Sequence, residues 1–100
     1  MNKKVNPGEM VSSKGYSLRN SDRGHLEYKF GDKVMIVVFE PGLQKIFMIK
    51  FPVTVIYLSS MRTWSAPYEK EIIGEAELKT IKQHLREGLR FLGAGRVLFE

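Results

Sequence analysis

Hydrophobic and polar residues alternate with period two through Tyr16 and Leu18 and again through Leu26, Tyr28 and Phe30. Successive side chains of a strand point to opposite faces, so this spacing predicts two half-buried strands. The turn formers Asn20, Ser21, Asp22, Arg23 and Gly24 lie between them and predict a hairpin. After a second turn signal at Phe30-Gly31-Asp32, Lys33 to Phe39 reads KVMIVVF. It is apolar on both faces and rich in β-branched residues, the pattern of a strand covered on both sides. Pro41-Gly42 predicts a turn, and the stretches 46–51 and 53–58 predict further strands, the second with Val53, Val55 and Tyr57 on one side. Pro52 cannot donate to a ladder, which points to a bulge, a corner or an edge.

Toward the C-terminus the period changes. Leu78, Ile81, Leu85, Leu89 and Leu92 recur at spacings of three and four, giving one apolar stripe along a helix. Gly74 stands at the N-cap, Glu75 and Glu77 in the first turn suit the helix dipole, and Gly93 ends the helix with Arg90 in the last turn. Gly88 inside the stripe costs about 1 kcal/mol against Ala and points to close packing on the sheet. Residues 96–99 can return as a short last strand, and 59–74 read as an ordered loop leading to the helix. Residues 1–14 are polar, contain Pro7 and Gly8 and show no apolar period, so they read as a flexible N-terminal arm. The expected fold is a single α+β domain over residues 15–100. It has a mainly antiparallel sheet of about five or six strands, with one long C-terminal helix packed on one face.

Composition narrows the classes of function. The chain of 100 residues has room for one core, and 43% apolar residues suffice to fold it without staples. The absence of cysteine excludes a disulfide framework, a thiolate zinc site and a cysteine nucleophile. Lys3 and Lys4 are followed by Asn6, Pro7, Gly8 and Glu9 rather than the apolar stretch of a signal peptide. Glu40, Lys45, Lys50 and Pro52 interrupt the apolar runs before any reaches the length of a membrane span. A soluble protein that stays in the cytoplasm, without membrane contact, is therefore expected. The net charge of +5 and pI near 9.6 suit nucleic acid, an anionic surface or an acidic protein, or serve solubility alone.

Catalytic chemistry finds little support in the residues. His25 sits beside a turn and His84 at the flank of the helix stripe, far apart in sequence and without a motif to orient either. Two histidines without cysteine or a patterned carboxylate cluster make a poor metal set. Gly93-Ala94-Gly95 follows a helix, whereas a phosphate loop precedes one. No serine lies in a Gly-x-Ser-x-Gly elbow. Neither an enzyme nor a cofactor or metal site is expected.

Three surface features suit binding instead. Lys79, Lys82, Arg86 and Arg90, spaced three, four and four apart, make a basic stripe. It could track a phosphate backbone, or be a solvated face diluted by pairing with Glu75 and Glu87. Glu69, Glu71, Glu75 and Glu77 form an acidic patch at the helix start, which compensates the dipole or complements a basic cleft. Trp64 shares its loop with Arg62 and Tyr68, and these are the usual anchor types of interfaces. The economical role for Trp64 is to pack back over the sheet edge and pin the loop.

From Val53 onward, VTVIYLSSMRTWSAPYEKEIIGEAELKTIKQHLREGLRFLG resembles a family of small immunity proteins. These are encoded beside bacterial polymorphic and contact-dependent growth-inhibition toxins. In that pattern a strand ends in small residues, followed by Arg-x-Trp, a proline, an acidic stretch and an Ile-rich helix start, and the helix closes on Leu/Phe-Gly. Arg62, Trp64, Pro67, Ile72, Ile81, Leu89, Phe91 and Gly93 match it, and GYSLRNSDRGHLEYKF looks like the family's first hairpin. The likeness covers about residues 15–95.

The resemblance implies a protein that binds the C-terminal domain of a cognate toxin, a nuclease on this reading, and occludes its active site or substrate groove. Arg62, Trp64, Tyr68, Glu69, Glu71, Lys79, Lys82 and Arg86 are the expected contact residues. The alternative is a small nucleic-acid-binding module that uses the Lys79, Lys82, Arg86 and Arg90 face. The apolar strands can be covered by the helix and hairpin, or partly by a second copy in a homo-oligomer.

Overall fold

A computed structural model of the chain describes residues 2–6 and 8–100. Six strands form an antiparallel meander: β1 (Asn2–Asn6), β2 (Glu9–Ser12), β3 (Tyr16–Asp22), β4 (His25–Phe30), β5 (Lys33–Ile46) and β6 (Ile49–Ile56). A 3-10 turn over Leu58–Met61, a loop and the helix α1 (Glu75–Phe91) then bring back β7 (Arg96–Phe99), which pairs parallel with β6. The result is a mixed α+β fold, one seven-stranded sheet in sequential order with a single helix among the described residues.

The strand count exceeds the expected five or six for two reasons. Residues 2–6 and 9–12, within the expected arm, pair as β1 and β2, and Met10 of β2 is fully buried. Pro7 and Met1 of that arm lie outside the described residues. Farther on, three expected strands over 33–58 are two. β5 runs 14 residues straight through Pro41-Gly42, and the chain reverses at Phe47-Met48, inside a segment expected to be strand. Pro41 is tolerated because β4 ends opposite Val38. The Phe39 amide points to that side, donating to the Gly24 carbonyl at 3.0 Å. The Pro41 nitrogen faces the same way two residues on, where no strand follows to need its proton.

The expected alternation builds the core. Met10, Leu18, Tyr28 and Met35 are direct cross-strand partners across β2 to β5, and none is accessible to solvent. Tyr16, Leu26 and Val37 bury the same face, and Ile81, Leu85 and Leu89 of α1 close over it. The helix has the predicted limits: Gly74 is its N-cap, and Gly93 follows the C-cap with φ of 92°. Gly88 marks a close approach of helix and sheet. A Cβ there would lie 2.3 Å from Leu18 Cδ1 and 3.3 Å from Met10 Sδ.

At the far end of β5 the sheet runs out of cover. Ile46 pairs with Ile49 across a two-residue turn whose central residues, Phe47 and Met48, both have positive φ, 49° and 69°. Each such non-glycine residue costs about 1–3 kcal/mol. Both side chains point into solvent, 93% and 87% exposed.

Candidate functional site

Two groups of the expected contact residues come together, in different surroundings. The first is organised by Lys33 at the start of β5. Backbone bonds hold the 62–72 loop against that strand: Ser65 N donates to the Val34 carbonyl at 2.7 Å, Tyr68 N to Ser65 and Glu71 N to Tyr68. Lys33 Nζ then lies 2.6 Å from Glu71 Oε1 and 5.6 Å from the ring centroids of both Trp64 and Tyr68. The Glu71 hydrogen bond raises the lysine pKa above its ordinary value. Glu71 is therefore engaged within the chain, while Glu69 stays exposed.

Trp64 takes the packing role. It is 3% exposed and stacks on Tyr28 at 6.1 Å between centroids. Its indole Nε1 has no hydrogen-bond partner among the described residues. What a partner could touch here is the rim above it, Tyr68, Glu69 and the Lys33–Glu71 pair. Nothing in the residue pattern signals Lys33, which reads as the polar start of a strand.

The second group runs along the seam between α1 and β7. Lys82 Nζ lies 5.6 Å and Arg86 Cζ 5.0 Å from the Phe99 ring, so both cations lie over β7. Arg86 and Arg90 continue into a groove of about 280 Å³ shared with Arg96. Toward the helix start, Arg62 and Leu78 line a recess of about 270 Å³. Leu78, Lys82, Arg86 and Arg90 are successive at four residues, so they share a side of the helix. Lys79 is exposed one position round.

The expected dilution by helix carboxylates does not involve Glu87. Its oxygens accept from Lys14 Nζ at 2.8 Å and Tyr16 Oη at 2.7 Å across on β3 and the β2–β3 turn. These two bonds hold its carboxyl below the ordinary range. Among the described residues, Lys79, Lys82, Arg86 and Arg90 form no ion pair. Arg96, which also donates to Gln44 Oε1 at 3.0 Å, joins the seam only in three dimensions.

The histidines belong to the framework. His84 is buried between α1 and the sheet, stacked on Tyr16 at 4.1 Å, with Nδ1 2.7 Å from Tyr28 Oη. Burial lowers its pKa, with Lys14 adding to the effect and Glu87 opposing it. Burial raises both tyrosines well above their usual range. His25 opens β4, with its Nδ1 2.8 Å from Asp22 Oδ1. Among the described residues no group of three or more His, Asp and Glu side chains could hold a metal ion. Among the described residues no helix is long and apolar enough to cross a membrane.

Comparison with known proteins gives one finding. The family model described as Immunity protein 74 matches residues 20–100. No curated protein and no solved structure matches the chain.

Proposed function

The chain belongs to the Immunity protein 74 family, and from that premise we propose that it neutralises a cognate bacterial toxin by binding its C-terminal domain and occluding the active site or substrate groove. The match over residues 20–100 carries this reading. On it the protein acts in the cytoplasm, as a binder and not as an enzyme. The toxin belongs to a polymorphic or contact-dependent growth-inhibition system and is a nuclease.

The structure supplies what such a binder needs: a packed scaffold and charged side chains fixed on its surface. The seam of Arg62, Lys82, Arg86, Arg90 and Arg96 is the favoured contact. A nuclease that works through bound metal presents carboxylates, and cations that form no ion pair among the described residues are available to meet them. Tyr68, Glu69 and the Lys33–Glu71 pair form a second edge of contact, and Lys79 extends the seam.

Growth provides the direct test. The C-terminal domain encoded by the reading frame just upstream is expected to kill when expressed alone. It should be tolerated, and should co-purify stoichiometrically, when this chain is present. Lys82→Glu with Arg86→Glu should weaken the complex at least tenfold while the fold survives, because neither side chain belongs to the buried core. Toxicity without rescue or co-purification would remove the reading.

The Arg86, Arg90 and Arg96 groove also favours a second reading, a module that binds nucleic-acid phosphates. It requires weak binding that falls steeply with salt. Undetectable binding of RNA and DNA at low salt would end it.

A further inference from the structure

The β5–β6 hairpin ends in four consecutive apolar residues, Ile46 to Ile49, all exposed. Core packing does not explain them, because Phe47 and Met48 touch mostly water. Turn chemistry does not explain them either. A two-residue turn with two positive φ values is served by Asn-Gly, whereas a bulky side chain opposes it. The residues chosen here are costly to the free protein on both counts, so their value lies in contact with something else.

The surroundings of the tip describe that contact. Cross-strand partners share a face, so Ile46 with Ile49 and Gln44 with Phe51 lie on one side of the ribbon, and Lys45 with Lys50 on the other. The apolar side continues into a cavity of about 330 Å³ where Phe51 and Pro52 meet Gly95 and Arg96. The charged residues of the hairpin beyond Glu40 are all basic, since no acidic residue occurs between Glu40 and Glu69.

We infer that this tip enters a recess of the toxin domain, with Phe47 and Met48 on an apolar floor and Lys45, Lys50 and Arg96 against carboxylates at its mouth. The inference rests on the toxin-binding reading and adds the inserting segment and the chemistry of the recess. Aromatic residues and methionine are enriched at the core of interfaces, and the rim around them is polar. An anionic bilayer fits less well, because it would call for cations all round the tip. Here the lysine pair occupies one face, and Ile46, Ile49 and Phe51 occupy the other. A symmetric tip-to-tip contact between two copies would set Lys45 and Lys50 against their own equivalents.

The decisive variant is Phe47→Asn with Met48→Gly. It removes the apolar knob and gives the turn its preferred pair, so the melting temperature should hold or rise. Affinity for the purified toxin domain is expected to fall at least about 30-fold, and growth rescue to be lost. Lys45→Glu with Lys50→Glu should slow association about tenfold. If the wild type binds toxin and the Asn-Gly variant binds it equally well, the inference is overturned while the toxin reading stands. If the wild type binds no toxin, both fall. The inference is likewise overturned if the variant loses only binding to phosphatidylglycerol vesicles, or only a concentration-dependent dimer, and keeps its affinity for toxin.

Discussion

His84 illustrates how one buried polar residue can be a structural element with a measurable signature. Its ring is sandwiched between Tyr16 and the edge of Phe30, and its Nδ1 is paired with the Tyr28 hydroxyl. Burial holds its pKa below the ordinary 6.5. Above that value the imidazole is neutral in both folded and unfolded chains, and pH has no leverage through it. As the pH falls below 6.5, the unfolded chain takes up a proton that the native state resists. Stability therefore declines until the native pKa is reached. The depressed carboxyls of Asp22 and Glu87 lose their contribution only at lower pH, below the ordinary carboxylate range. Urea unfolding from about pH 7.5 to 5.5 should thus show falling stability. In His84→Phe the slope should flatten, and stability at the upper end should drop by about 1–3 kcal/mol because the Tyr28 hydroxyl is left buried without a partner. An unchanged slope in the variant would mean that another group titrates there.

At the scale of elements, Gly88 sets two tendencies against each other. Alanine in a helix interior gains about 1 kcal/mol over glycine. Here its methyl would sit 2.3 Å from Leu18 Cδ1 and 3.1 Å from Leu18 Cγ. Leu18 is fully buried in the cross-strand row with Met10 and Tyr28, so it has little room to turn away. Overpacking of a filled core costs about 1–3 kcal/mol, so Gly88→Ala should be net destabilising. A lower urea midpoint would bear this out, and a higher one would show that Leu18 and Met10 repack freely. Close packing at Gly88 was legible in the sequence because a glycine interrupted a strong apolar stripe. The helix limits were legible for the same kind of reason, since cap, charge and period agree there. The turn at Phe47-Met48 was not legible. An apolar run reads alike whether it is a buried strand or an exposed tip, and the true turn contains no turn former. Pro41-Gly42 misled in the opposite direction, because a proline facing an unpaired edge does not stop a strand. In the candidate site, the Lys79, Lys82, Arg86 and Arg90 stripe could be read from spacing. Lys33 and Arg96 could not, since only folding brings them to Trp64 and to the α1–β7 seam.

Across the whole molecule the charge is unevenly balanced. Ion pairs bind Glu87 to Lys14, Glu27 to Arg19 and Glu71 to Lys33, and Asp22 bonds to the His25 ring. These neutralise the β2–β4 region and the start of β5. Among the described residues, Arg62, Lys82, Arg86, Arg90 and Arg96 along the seam, with Lys45 and Lys50 on the hairpin, form no ion pair. Much of the net charge of +5 is therefore presented by the surfaces proposed to meet the toxin. Such a field acts at long range on encounter more than on the docked complex, and it is screened over about 10 Å at 0.1 M salt. Association with the toxin domain should accordingly slow about tenfold or more between roughly 20 and 300 mM salt, with dissociation little changed. Stopped-flow mixing across that range tests this. A flat association rate would mean that the cations face away from the partner, and a dissociation rate that rises as steeply as association falls would place them inside the docked interface as direct pairs.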